Sequence, residues 1–350
     1  GYDFDGLNTE VLLNRLSVRS GRLALPDGMN YRLLILPEET VLSAPVLRKI
    51  RELILAGATV LGNRPLRAPG LSGYPHCDEE VKKLAAEIWG PETTPAGDRR
   101  LGHGRLVWGE DVGTLLAEMD AAPDFEVRAG APDTNFNFIH RKLDHADIYF
   151  VIHSQDTSAE VQTLFRVRGK QPEIWDPVTG HSWKITDFQQ ENGRTVIPIS
   201  FAPYQSYFVV FRETAGEPGP KRPNFPELAP GVELTGPWTV RFEPRWGGPE
   251  SVVFEKLDDW TKRPEEGIRY YSGTATYRKT FDLPRTLRRV HTQIWLDLGE
   301  LKNLAQVRLN GKDLGVLWTK PFRVDVTETL KANGNILEVD VVNLWTNRLI

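Results

Sequence analysis

Val307-Arg308-Leu309-Asn310-Gly311-Lys312-Asp313-Leu314-Gly315-Val316-Leu317-Trp318 decides how the last third of this chain folds. An Asn-Gly pair between two apolar runs is a strong signal for antiparallel strands joined by a type I′ turn, because that turn needs positive φ at both central residues. Working outward, Ala275-Tyr277-Lys279-Phe281 alternates with Thr276-Arg278-Thr280, and Ile294-Leu296-Leu298 alternates with Trp295 and Asp297. Residues 322–326 and 336–342 supply two more strands, with Asn333-Gly334 turning between them. Seven or eight antiparallel strands within residues 232–350 predict a β-sandwich of the jelly-roll kind.

The opening residues have a different texture. Arg32-Leu33-Leu34-Ile35-Leu36, closed by Pro37, reads as a strand buried on both faces. A helix follows, capped by Ser43, with Pro45 in its first turn, Val46, Leu47, Ile50, Leu53 and Ile54 on one side, and Gly57 just past its end. Thr59-Val60-Leu61 closes a βαβ unit with parallel strands. Thr9 and Asp78 are the expected caps of two further helices, and residues 105–108 and 112–119 continue the strand–helix alternation. Residues 1–145 therefore predict a small open parallel α/β sheet, flavodoxin- or amidotransferase-like. Residues 146–212 carry short β-type runs separated by turn chemistry such as Asp176-Pro177-Val178-Thr179-Gly180, and predict a small β module. Residues 213–231 hold Pro218, Pro220, Pro223, Pro226 and Pro230 and predict an extended, semi-rigid linker.

The composition of the 350 residues sets limits on function. A formal charge of −4 is too balanced for a chain built to grip nucleic acid. No apolar run is long enough to span a membrane, and no leader-like segment opens the sequence. One cysteine, Cys77, excludes an internal disulfide framework and a cysteine-based zinc cluster. The first and last residues both read as the inside of a larger polypeptide.

Cofactor and metal motifs are weak. Gly102-His103-Gly104-Arg105 lacks a third glycine, no phosphate-binding P-loop is present, and Cys77 has no nucleophile-elbow glycines around it. The scattered histidines form no HxxxH or HExxH pair, so no metal or cofactor is expected. Sugar hydrolysis needs two facing carboxyl groups, for which Asp3/Asp5/Glu10, Glu38/Glu39 and Asp258/Asp259 are local candidates. Glu38-Glu39 follows a predicted strand, where open α/β sheets bind ligands, although acids there also decorate ordinary helix N-termini. The end of the chain is richer. Trp318 and Arg323 lie in one stretch, and Trp345, Asn347 and Arg348 in another. Aromatic faces stack on sugar C–H surfaces while amides and guanidinium groups bond hydroxyls, yet such tryptophans also serve core or inter-domain packing.

Tyr270-Tyr271-Ser272-Gly273-Thr274-Ala275-Thr276-Tyr277, Asp297-Leu298-Gly299, Leu309-Asn310-Gly311-Lys312, Pro321-Phe322-Arg323-Val324-Asp325 and Asn343-Leu344-Trp345-x-Asn347-Arg348 resemble the sugar-binding-like sandwich of glycoside hydrolases. Together with His140-Arg141-x4-Ala146-Asp147-Ile148-Tyr149, Trp175-Asp176-Pro177 and Leu12-Leu13-Asn14-Arg15, their order resembles the C-terminal end of glycoside hydrolase family 106, the α-L-rhamnosidase-like proteins. The resemblance implies accessory modules beside a catalytic (β/α) barrel that carries the glutamates and calcium. No position here matches those barrel motifs, so the catalytic residues are unknown. It further implies carbohydrate as the partner (a plant-type glycan or a terminal deoxysugar) and an extracellular or periplasmic location. Two other readings stay open: a free-standing glycosidase with its own Asp/Glu pair at a domain junction, starting from Glu38, Glu39 or Asp5, and a purely structural or assembly role.

Overall fold

The computed structural model describes residues 1–349 except 92–93, 129–135, 217–219, 221, 226–227, 230 and 288–292. Pro218, Pro226 and Pro230 of the expected linker therefore lie outside the described residues. Tyr2–Pro123 forms one compact unit, and Asp124 onward, with Gly1, forms another. The chain is mostly β, with few helices and several sheets.

In the first unit, Leu33–Ile35, Thr59–Leu61 and Gly104–Trp108 pair in parallel as expected. Gly97–Leu101 joins the edge antiparallel, so the sheet is mixed rather than wholly parallel. The helix Ala44–Ala56 buries Val46, Leu47, Ile50, Leu53 and Ile54 against it, each contributing on the order of 1.5–3 kcal/mol. Gly57 ends that helix at φ 119°, a conformation that glycine adopts at little cost, and its N–H reaches the carbonyls of Leu53 and Ile54. Two expected caps are corrected. Asn8, not Thr9, caps the first helix, its side chain accepting from the Val11 N–H at 2.9 Å. Asp78 sits within the first turn of His76–Trp89 and accepts instead from the Ala68 N–H at 2.8 Å.

The second unit begins with two antiparallel sheets around a shared core. One runs Ser182–Lys184, Lys170–Trp175, Ser206–Thr214, Asp147–His153, Phe136–Lys142; the other runs Gln189–Glu191, Arg194–Phe201, Ala159–Phe165, Phe125–Arg128. Tyr149, Val151, Phe165, Ile174, Ile197 and Phe211 fill the space between them. Phe125–Arg128 and Phe136–Lys142, which the sequence reading leaves with the α/β domain, are strands of these sheets. Part of the expected linker is also bound here. Asn224 donates to the carbonyls of Asp187 and Pro198, and Phe225 packs on Trp183 and Tyr207.

A polar network is buried at the edge of this core. The two ring nitrogens of His140 lie 2.8 Å from Asp124 Oδ2 and 3.2 Å from Asp147 Oδ1. Tyr149 and Arg166 donate to Asp124 Oδ1 at 2.8 and 3.1 Å, and Lys170 donates to Asp147 Oδ2 at 2.8 Å. The imidazole stacks on the Tyr149 ring at 4.0 Å. Buried carboxylates are tolerated only when their oxygens are bonded in this way. Burial pushes the Asp124 carboxyl up, but the bonds from His140 and Tyr149 and the charge of Arg166 outweigh it and hold the group below its usual range.

The last module pairs its strands antiparallel in the order Val252–Phe254, Trp238–Arg241, Thr274–Phe281, Asn335–Val342, Leu304–Leu309, Lys312–Leu317, with Trp295–Asp297 and Arg323–Asp325 as a second sheet. Asn310 and Gly311 take φ of 53° and 81°, the turn their sequence demands. The Asn310 side chain also accepts from the Ile336 N–H at 3.0 Å and donates to the Thr329 carbonyl at 2.8 Å. Burial pushes the Tyr277 phenol up to about 12, and its oxygen accepts from the Trp260 indole.

Removing one partner of a buried charged network costs about 3–5 kcal/mol. Asp124→Ala should destabilise the second unit by that amount in urea denaturation near neutral pH. Because the folded carboxyl titrates below its unfolded value of about 3.9, the stability it contributes is present above that value and is lost as pH falls through the folded one. The difference between variant and wild type should accordingly shrink below about pH 4.

Candidate functional site

The site is assembled by strand register. Thr274 pairs with Val342, Val342 with Leu304, and Ala305 with Leu317. The starts of Thr274–Phe281 and Leu304–Leu309 and the ends of Asn335–Val342 and Lys312–Leu317 therefore meet at one end of the six-stranded sheet. Trp318 and Asn343 each follow their strand directly. With strands about 4.8 Å apart and one strand between them, their backbones stand roughly 10 Å apart.

Asn343 holds this end together. Its Oδ1 accepts from the Gly273 N–H at 2.9 Å, and its Nδ2 donates to the Tyr271 carbonyl at 2.8 Å. One residue along, the Ser272 hydroxyl reaches the carbonyls of Leu344 and Trp345, both at 3.2 Å. The short 3-10 turn Trp345–Arg348 is thereby fixed against the Tyr270–Gly273 segment. Trp345 is left 69% exposed. Arg348 reaches back to the turn after Trp238–Arg241, where its guanidinium lies 5.4 Å from the Trp246 ring centroid and donates to the Trp246 carbonyl at 3.4 Å. Trp246 is 57% exposed, and among the described residues no carboxylate pairs with Arg348. Trp318, 62% exposed, shares the outer face of the last strand with Val316.

The five residues singled out in the sequence thus separate by role. Trp318, Trp345 and Arg348 stand at the same end of one sheet. Arg323 is engaged elsewhere: it faces Asp297 across the small second sheet and donates to its carboxylate at 2.7 Å. The Asn347 side chain lies outside the described residues. Trp246 is not legible in the sequence, because Glu243-Pro244-Arg245-Trp246-Gly247 carries only a turn signal and its partner Arg348 is 102 residues away.

The carboxylates separate too. Glu38 lines a cavity of about 300 Å³ at the carboxyl ends of the parallel strands, together with Asn63, Glu110 and Asp111, while Glu39 does not line it. Asp5 accepts from the Tyr31 hydroxyl at 2.8 Å, and burial followed by this bond pushes the Tyr31 phenol up to about 12. Asp259 caps a 3-10 turn through the Thr261 N–H. Among the described residues no helix is long and apolar enough to cross a membrane, and no group of three or more His, Cys, Asp or Glu is placed to hold a metal ion.

These contacts rank the residues by stability. Asn343→Ala removes two bonds at the sheet end and should cost about 1–3 kcal/mol in chemical denaturation, whereas Trp345→Ala should stay within about 0.5 kcal/mol.

Residues 1–190 match glycoside hydrolase family 106, described as alpha-L-rhamnosidase, and residues 256–349 match the glycosyl hydrolase 2 galactose-binding domain-like family. The chain is similar in structure to a rhamnosidase from Novosphingobium sp. PP1Y, with 33% identity and a TM-score of 0.79 over 98% of this chain and 32% of that one. It is also similar to a Formosa agariphila protein named for beta-glucuronidase, 24% identical, which aligns over all of this chain and 48% of its own length. The chain thus spans about half the length of that relative and about a third of the rhamnosidase. Its sandwich is a galactose-binding-like domain, its modules are those of carbohydrate-active proteins, and the chain belongs to glycoside hydrolase family 106, the alpha-L-rhamnosidase family.

Proposed function

We propose that this chain supplies the carbohydrate-holding modules of an α-L-rhamnosidase-type glycoside hydrolase, and that its last sandwich, a jelly roll, binds the glycan. The observation that carries the reading is the gathering of three exposed tryptophans, 246, 318 and 345, with the Arg348 guanidinium at one end of one sheet. A deoxysugar suits such a surface, since its methyl group enlarges the apolar face available for stacking while its hydroxyls remain for the cation. The ligand is accordingly a plant-type glycan ending in a deoxysugar, met outside the cell or in the periplasm, and the catalytic acids stand on a partner barrel. Arg323, five residues past Trp318 and held by Asp297, acts as a positioning residue.

A specific observation also favours a second reading. Glu38 and Glu110 line one cavity at the carboxyl edge of the parallel strands, where ligands of open α/β sheets sit. Hydrolysis of an aryl α-L-rhamnoside by this chain, abolished in Glu38→Gln, would establish that site as catalytic.

For the leading reading the experiment is calorimetric titration of the chain with a rhamnose-terminated oligosaccharide. Trp345→Ala and Arg348→Ala should each weaken binding by about tenfold, a loss of roughly 1.4 kcal/mol. Wild-type affinity in both variants would remove these residues from the site, and concentration-dependent mass without sugar binding would favour an assembly role.

A further inference from the structure

Ala202-Pro203-Tyr204-Gln205 is a tight turn, closed by the Gln205 N–H on the Ala202 carbonyl at 3.2 Å. Proline at the first central position fixes a negative φ there, and Tyr204 follows at φ 56°. That combination is a type II turn, whose second central residue is normally glycine or asparagine because a larger side chain is strained in the left-handed region. Here a tyrosine occupies the position and is 51% exposed, so burial does not compensate for the strain. The Tyr204 N–H bonds the Gln155 carbonyl at 3.0 Å, which fixes the turn beside Asp156. Asp156 in turn accepts from the Lys320 ammonium at 2.7 Å, two residues past Trp318, and so ties the middle module to the last one.

Strained, exposed side chains are kept where they serve a function. We infer that Tyr204 and Trp318 form a glycan-binding subsite spanning the two modules, with the Asp156–Lys320 pair presenting groups to the sugar hydroxyls. The inference rests on the carbohydrate reading above and adds to it a residue from another module. Two aromatic faces carried on separate modules suit at least two consecutive sugar rings, so the ligand class is an oligosaccharide or polymer rather than a single free sugar. The charged pair beside Tyr204, two residues from Trp318 along the chain, favours such a polyol over an apolar protein surface.

The turn geometry provides a test with two readouts. Tyr204→Asn places a residue in the left-handed conformation that it tolerates well. The melting temperature of the chain should stay the same or rise, while affinity for a rhamnose-terminated oligosaccharide, read by calorimetry, should fall by about tenfold. Tyr204→Phe should retain most of the binding, and free L-rhamnose should be far less sensitive to either change than the oligosaccharide. A lower melting temperature with unchanged affinity would make Tyr204 a structural residue and overturn the subsite. Binding lost in Trp345→Ala but untouched in Tyr204→Asn would overturn this subsite alone, whereas no binding by the wild-type chain would overturn the carbohydrate reading as well.

Discussion

The two hydrogen bonds of the Asn343 side chain are the constraint on which the candidate site depends. They lock the residue after the Asn335–Val342 strand to the residues before Thr274–Phe281, at the point where backbone pairing runs out. Without them the Trp345–Arg348 turn would be tied to that segment by the Ser272 hydroxyl and the long Asn343 N–H to Gly273 carbonyl bond at 3.4 Å, a weaker hold on the reach of Arg348 to Trp246. A flat, exposed aromatic surface is useful for binding only if it is preorganised, because ordering rotamer-rich side chains on binding costs affinity.

The same logic runs through the second unit. Polar groups are spent where chain segments meet: Asp124 with His140, Tyr149 and Arg166; Asp147 with Lys170; Asn224 with residues 187 and 198; Asp156 with Lys320. Apolar side chains fill the sandwich interiors, but these bonds set register and orientation. The side chains left over at the sheet end, Trp246, Trp318 and Trp345, are large, apolar and outward-facing, which is the combination expected of a surface with a ligand to meet.

Much of this architecture is legible in the sequence. Asn310-Gly311 announces its hairpin, and the run from Ser43 to Leu61 announces a helix between parallel strands, because in both places local conformation and burial agree. Gly97-Asp98-Arg99-Arg100-Leu101 is illegible for the opposite reason. It is a polar edge strand held by Arg99 on the Glu87 and Ile88 carbonyls and by Arg105 on Asp98, contacts that no local pattern displays. Phe136-Asn137-Phe138-Ile139-His140 does alternate with period two, but its inward His140 reads as polar until Asp124 and Asp147 are seen around it. In the site, Trp318 and Trp345 stand out by residue type, while the pairing of Arg323 with Asp297 is not legible because the two lie 26 residues apart. Tyr204 is hidden because a positive φ is a property of the turn, signalled only by the proline before it.

Hydrogen–deuterium exchange in the presence and absence of a rhamnose-terminated oligosaccharide tests the location of the glycan most directly. The account predicts slowed exchange confined to residues 202–206, 314–321 and 343–349, with the α/β unit unchanged. Protection centred on residues 35–38, 61–63 and 109–112 would instead place the ligand in the cavity that Glu38 lines, and would contradict the assignment of the sheet end.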